Sequence, residues 1–438
     1  MLQDGVKKRF NRIDGTDRSA VAECGMFVPV QFLCVFMNED RALTVKDVAK
    51  LLSVSTQQVT ELIGLGQLKA FEIGNSSRVM ASEVQAFIVR RQQEFARQHP
   101  ALTPDPSRFS VSQLSVEYSN FALRNISFSF PLGKIVSFLG PSGSGKTRLL
   151  KAIAGLERQT SGIIYFGETR LDLLEPKDRK LGFVFEDYAL FPHLNARGNI
   201  EFPMKIGKHE KNVVRTEAAK RAQELQIQEP YLGITPNALP EGIKQLVAIA
   251  RSKNHNCELF LMDEPMSRLD AKQHIQLRLF LQKMLRDMEK TTIIAFNDPS
   301  DAMAISDHIG VIADGQLLQF GETWEIYHQP QTLLVMELTS RLGVNTLPVE
   351  IRNGVAHPYQ IPAQRDDGSY LMAFRPEEIA LAPNGIPADI VSAQTLTANE
   401  RLVSAEIGKK AFAQLVIPAS AERTISFLPS APKFFMKP

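Results

Sequence analysis

The sequence predicts an α/β chain with a parallel-sheet core and a helical subdomain, preceded by a small winged helix-turn-helix and followed by a small β-domain. Three observations predict it. A strand, a glycine-rich turn and a helix follow one another in "KIVSFLGPSGSGKTRLLKAIAGL", and a second apolar strand ends in acids at "ELFLMDEP". Ahead of them, two short apolar helices and a hairpin are punctuated by capping residues. Beyond about Thr339–Asn345, long helical segments give way to short alternating runs. A length of 438 residues also calls for more than one core, at roughly 100–200 residues per domain. The expected parts are a loose segment 1–43, a helix-turn-helix domain 44–99, a linker 100–109, the core 110–340 and a β-domain 341–438.

Composition sets outer limits. A hydrophobic fraction of 44% with 22% charged residues excludes a mostly disordered chain. Fifty Lys and Arg against 48 Asp and Glu leave a formal charge of +2, which excludes a polybasic protein, so nucleic-acid contact would come from a local patch. Cys24, Cys34 and Cys257 form no CxxC pair or spaced framework, so neither a disulfide scaffold nor a structural zinc is expected and a reducing cytosol fits. The early run "MFVPVQFLCVFM" is shorter than the ~20 residues of a spanning helix and contains Pro29 and Gln31. Residues 1–36 read equally as a loose tail or as sequence upstream of a start at Met37. In "RQHPALTPDPSRFS" three prolines remove backbone donors and favour an extended linker.

Between tail and linker, Thr44 followed by Asp47 and Ser55 followed by Gln58 stand where side chains cap helix starts. Val45, Val48, Ala49, Leu51 and Leu52 make one apolar face, and Val59, Leu62 and Ile63 another. "LKAFEI", "GNSS" and "RVM" read as a hairpin, with a further helix from about Ser82. This order resembles the excisionase-type DNA-binding module, a winged relative of the MerR-type helix-turn-helix. The resemblance implies a helix in the major groove of double-stranded DNA, with Thr56, Gln57, Gln58 and Thr60 reading bases. Lys69 and Arg78 on the wing, with Lys46 and Lys50, would meet phosphates. The charge balance of the module is weak, so specific binding would need two modules held together. A protein–protein adaptor of the same shape is the other reading.

The core carries the chemistry. Ile135, Val136, Phe138 and Leu139 form a buried strand, and Leu149, Leu150, Ile153 and Leu156 one side of the next helix. The turn between them runs Gly140, Pro141, Ser142, Gly143, Ser144, Gly145, Lys146, Thr147. Glycines let successive N–H groups curl around a phosphate at a helix N-terminus, where negative charge is favoured. Lys146 would reach the outer phosphates of ATP and Thr147 would offer a hydroxyl to Mg2+. Downstream, Leu259–Met262 is an apolar strand that delivers Asp263 to the sheet edge near the metal. Glu264, the next residue, is placed to polarise an attacking water.

From Ser110 to about Ser340 these motifs resemble the ATP-binding subunit of an ABC transporter, a P-loop NTPase. "GFVFEDYALFPHL" matches the loop that couples the nucleotide site to membrane subunits, and Ser267–Asp270 the loop after the acidic strand. Tyr118 stands where that family places an aromatic against adenine, and Asn297 where it places a γ-phosphate-sensing histidine. Glu186 occupies the place of the coupling-loop glutamine and joins Thr147 and Asp263 as a metal ligand. "FRPEEIALAP" resembles the OB-like domain of sugar, polyamine and iron importers. The resemblance implies a dimer in which each ATP lies between one chain's phosphate loop and the other chain's LSGGQ signature. Permease subunits would be the membrane partners of such a cytoplasmic, membrane-peripheral chain.

The signature departs from that pattern. It reads Leu239-Pro240-Glu241-Gly242-Ile243. Pro240 removes a hydroxyl and a backbone donor, and Glu241 puts an acid where a γ-phosphate should sit. At ~5 Å and an effective dielectric of 20, that repulsion is about 3 kcal/mol before screening. Leu246 replaces the arginine that usually follows. Binding of Mg-ATP with slow hydrolysis is therefore expected. Three readings follow: a transport ATPase subunit, a soluble regulator whose ATP-closed dimer spaces two DNA-binding modules, and a decayed chain that binds nucleotide idly.

Overall fold

The computed structural model describes residues 42–52, 56–64, 68–73, 76–84, 86–87, 104–117, 121–253, 257–408, 411–421 and 424–436. The chain forms two compact units, 1–103 and 104–438. In the first, Thr44 and Asp47 close a reciprocal cap. The Asp47 amide donates to Thr44 Oγ1 at 3.1 Å, and the Thr44 amide donates to Asp47 Oδ2 at 3.0 Å. This starts helix α1 (Val45–Leu52), followed by α2 (Thr56–Gly64). Strand β1 (Ala42–Thr44) joins the hairpin β2 (Phe71–Ile73) and β3 (Ser76–Met80) in the order β1-β3-β2. Val48, Val59, Leu68 and Val79 fill the small core. The expected cap at Ser55 and the start at Met37 fall outside the described residues.

The second unit begins with β4 (Arg108–Glu117) and β5 (Ala122–Pro131). The strand therefore starts two residues inside the segment expected as linker, because Phe109 is wholly buried against Phe128 and Phe130. With β7 (Ser161–Phe166) and β8 (Thr169–Arg170) they make an antiparallel sheet, β5-β4-β7-β8. The central sheet holds β6 (Ile135–Leu139), β9 (Leu181–Val184), β10 (Leu259–Asp263), β11 (Thr291–Phe296), β12 (His308–Ala313) and β13 (Gln316–Glu322). Its order is β13-β12-β6-β11-β10-β9, parallel except at the β12–β13 edge. β6, β10 and β11 are buried at every position, as unbroken apolar runs covered on both faces should be.

Helix α3 (Lys146–Ala154) covers one face of the sheet together with the antiparallel sheet. The other face meets α4 (Ala196–Ile206), α5 (Lys211–Glu224), α6 (Glu229–Leu232), α7 (Glu241–Ser252), α8 (Ala271–Met288) and α9 (Pro299–Ile305). The helices α4 to α7 form the helical subdomain. Helices α10 (Thr323–His328) and α11 (Leu333–Leu338) lead out of the core.

Beyond them lie β14 (Asn345–Arg352), β15 (Val355–His357), β16 (Ile361–Pro362), β17 (Gly368–Phe374), β18 (Ile379–Thr395), β19 (Glu400–Ile407), β20 (Ala411–Pro418), β21 (Thr424–Pro429) and β22 (Lys433–Met436). They form two antiparallel sheets, β16-β15-β14-β17-β22 and β20-β19-β18-β21. Strict alternation of buried and exposed residues along β14 shows one face packed and one solvated. Arg375, inside the "FRPEEIALAP" run, is completely buried where this domain meets the core. Its guanidinium donates to Tyr327 O at 2.9 Å, Ser340 Oγ at 2.8 Å and Glu378 Oε1 at 3.0 Å, and lies 3.7 Å above the Tyr327 ring.

Candidate functional site

Sheet order explains the site. β6, β11 and β10 are neighbours and parallel, with Leu139 opposite Phe296 and Ala295 opposite Asp263. The chain therefore leaves all three strands at the same edge, at Gly140, Asn297 and Glu264, in a crevice outside the carboxyl ends. Lys146, 151 residues before Asn297, donates to its Oδ1 at 2.8 Å. The same ammonium donates to Gly140 O at 2.8 Å and Pro141 O at 3.0 Å, and lies 3.6 Å from Glu264 Oε1. Thr147 Oγ1 donates to Asp263 Oδ1 at 3.0 Å.

The turn is cut to fit a bare backbone. A Cβ on Gly140 would stand 2.0 Å from Ile312 O, so β12 closes that side of the loop. Gly145 has φ +111° and a Cβ there would meet Leu123 and Phe121; only glycine adopts this without cost. Pro141, Ser142 and Gly143 are exposed, while Ser144 is buried and its Oγ has no hydrogen-bond partner. An orphaned buried hydroxyl on an exposed loop of amides is the donor set that a phosphate fits. Among the described residues no three His, Cys, Asp or Glu side chains converge as a metal cluster. The Thr147–Asp263 pair nonetheless suits Mg2+, which takes one or two protein oxygens and completes its shell with water and phosphate.

Charge is concentrated here. Burial pushes the Glu264 carboxyl up to about 7, with Lys146 pulling it down and Asp263 pushing the same way as burial. Burial also raises Asp263, against the hydrogen bond from Thr147, and lowers Lys146, against the attraction of Glu264 and Asp263. Glu186 is exposed but near enough to raise both acids. Glu264 sits at φ +47°, held by donation of its N–H to Ala295 O at 3.1 Å and by Ser267 Oγ, which donates to its carbonyl at 3.1 Å. A carboxyl with a pKa near neutrality can accept a proton from water, which an ordinary glutamate does poorly.

The signature segment differs from expectation in one respect. Glu241 does not stand bare toward an incoming anion. It is bonded by Lys244 Nζ at 2.6 Å and lies near Tyr188 and Arg268. The Lys244 bond holds its carboxyl below the usual range, while burial and the nearby Glu241 raise the Tyr188 phenol. The acid stays charged but is partly neutralised by its own helix. Pro240 begins α7 without any side-chain cap.

Other sequence-predicted residues are scattered. Tyr118 lies outside the described residues. Thr56, Gln57 and Thr60 are exposed on α2, with Thr60 Oγ1 donating back to Thr56 O at 2.9 Å. Gln58 lies on the same helix. Lys69 is exposed before β2, and Arg78 is half-buried on β3.

Two residues beside the phosphate loop escaped sequence reasoning. Phe121 packs beside Gly145 with the Arg148 guanidinium 5.3 Å above its ring. Gly315, at φ +74°, donates its N–H to Ser144 O at 3.1 Å from a turn 171 residues away. Neither carries a local signal beyond being aromatic or glycine.

Comparison with known proteins agrees with this geometry. A model of the ABC transporter family matches residues 123–267. The sn-glycerol-3-phosphate import ATP-binding protein UgpC of Yersinia pseudotuberculosis is 32% identical over 328 residues, 72% of this chain and 92% of its own length. The Fe(3+) ions import ATP-binding protein FbpC of Fusobacterium nucleatum is 34% identical over 273 residues, 60% of this chain and 73% of its own. Among solved structures, the ADP- and Pi-bound dimer of the ATP-binding cassette MJ0796 aligns over 49% of this chain and 98% of its own, at 27% identity and a TM-score of 0.45. Among the described residues no helix is long and apolar enough to cross a membrane.

Proposed function

Because this chain belongs to the ATP-binding subunits of importer-type ABC transporters, we propose that it binds Mg-ATP at Gly140–Thr147 and cleaves it slowly. The observation that carries this is the convergence of Lys146, Thr147, Asp263, Glu264 and Asn297 at one sheet edge. The loop amides and Ser144 Oγ hold the phosphates. Lys146 exchanges its bonds to Gly140 O and Asn297 for phosphate oxygens. Thr147 and Asp263, with Glu186 close by, would hold Mg2+, which when bound would supply charge neutralisation at the phosphates. Glu264 takes the proton of the attacking water, and the family resemblance would put Tyr118 against adenine.

Hydrolysis is slow because the opposing half-site is damaged. In a dimer, Leu239–Ile243 of a second copy would face the γ-phosphate without the hydroxyl and backbone donor that Pro240 removes, with an acid in place of a glycine at Glu241 and without the glutamine. Asn297 offers a hydrogen bond where a cation would help more. A heterodimer with an intact partner would restore one full site, and permease subunits at the inner membrane face would be its membrane partners. Calorimetric titration with Mg-ATP tests the reading: one saturable site per chain is expected, and no heat would sink it.

A second reading rests on α1, α2 and the β2–β3 hairpin, an order suited to a winged DNA-binding module. ATP closure of the dimer would set two such modules at half-sites about 34 Å apart, or a multiple. Gel shifts with and without ATP decide it, since DNA affinity indifferent to ATP would rule this reading out.

A further inference from the structure

Away from the phosphate loop, the helical subdomain and the core line a half-open cleft of about 620 Å3 between α5 and α8, within the usual range of small-ligand sites of ~300–1,000 Å3. Arg221 of α5 lines it and is 5% exposed. Among the described residues its guanidinium makes no hydrogen bond or ion pair, and Nη1 is shut off from solvent without a partner. Burial lowers its pKa, and Glu217 and Glu224 on the same helix only partly compensate. A buried cation left unbonded is costly and is normally satisfied by something.

The surroundings say by what. Lys220, Lys283 and Lys290 stand exposed around the cleft, and Lys253 is bound to Glu224 at 2.7 Å. With Asp287 as the remaining acid, cations exceed carboxylates by two, the charge of a phosphate monoester near neutral pH. Phe280, Met284 and Met288 give the opposite side an apolar wall, and methionine adapts to varied shapes. We propose that this cleft is a second ligand site, for a small organic phosphate whose phosphoryl group bonds Arg221 and whose apolar body rests on Met284 and Met288. Its occupant would tie α5 of the helical subdomain to α8, the helix that follows the acidic loop of the nucleotide site.

Calorimetric titration of the full chain with phenyl phosphate tests this, with inorganic phosphate and benzoate as comparison probes. Saturable binding is expected, tighter than for either comparison probe, and kept in Lys146→Ala, which separates the cleft from the phosphate loop. Arg221→Met should weaken it about tenfold or more, the loss of a charged hydrogen bond, and exposed Lys283→Glu about threefold. Arg221→Met removes an unpaired buried charge, and its melting temperature checks the fold; Lys283→Glu on the surface needs no such check. Absence of saturable binding, binding unchanged in both cleft variants, or loss in Lys146→Ala alone would overturn the proposal. Equal affinity for inorganic phosphate would overturn the role of the apolar wall.

Discussion

The phosphate loop and the signature segment are the two halves of one expected site, and they have fared differently. At Gly140–Thr147 each constraint is met: glycines where a Cβ would strike Ile312 O or Phe121, a buried lysine with four oxygens around it, and a hydroxyl on a carboxylate. At Leu239–Ile243 the helix start is uncapped, and an acid is matched by Lys244 and Tyr188 instead of facing a ligand. A group that binds ground state and transition state alike lowers the dissociation constant, whereas one that acts only in the transition state raises the rate. On the proposed function, the contrast makes holding ATP and cleaving it separable properties of the two segments.

The largest test removes the intact half. Lys146→Ala deletes the ammonium bonded into the loop and should weaken Mg-ATP about 100-fold or more, two charged hydrogen bonds' worth, as read by calorimetry. Next, rebuilding the damaged half with Pro240→Ser, Glu241→Gly and Ile243→Gln together should raise steady-state hydrolysis about 10–100-fold, with ATP affinity changed only a few-fold. A rate that stays flat would mean the defect lies elsewhere, for example at Asn297.

Glu264→Gln sharpens the comparison from the other side. It should abolish residual hydrolysis while Mg-ATP still binds. In the parent chain, hydrolysis should rise with pH through about 7 as the carboxyl ionises. The same group affects stability. Between its unfolded value near 4.5 and about 7, the folded chain keeps a proton that the unfolded chain has released. Its contribution to stability therefore falls as pH rises across that window, and Glu264→Gln should flatten this part of a melting-temperature profile. The smallest effect is expected from Lys244→Gln, which frees the Glu241 charge and should slow hydrolysis about two- to threefold.

What was legible in the sequence followed contiguity. The loop from Gly140 to Thr147 and the Asp263–Glu264 pair each sit inside one unbroken run, and Thr44 with Asp47 caps α1 across three residues. The Glu241–Lys244 pair was equally local but hidden, because the acid alone drew the reading. Tyr188, Phe121 and Gly315 reach the site only through tertiary packing, and no spacing announces them. No motif or spacing singles out Arg221; only the folded chain puts it inside. The β-domain was visible as alternation but not as two sheets, since pairing order is set by contacts between distant strands.

Arg375 fastens that domain like a rivet. Its planar head is clamped by Tyr327 from α10 and Ser340 just past α11 on one side and by Glu378 of its own domain on the other. A rivet carries shear. A pull on the β-domain would be delivered to the root of α10, and from there to β13 at the rim of the nucleotide sheet, without being dissipated in a slack joint.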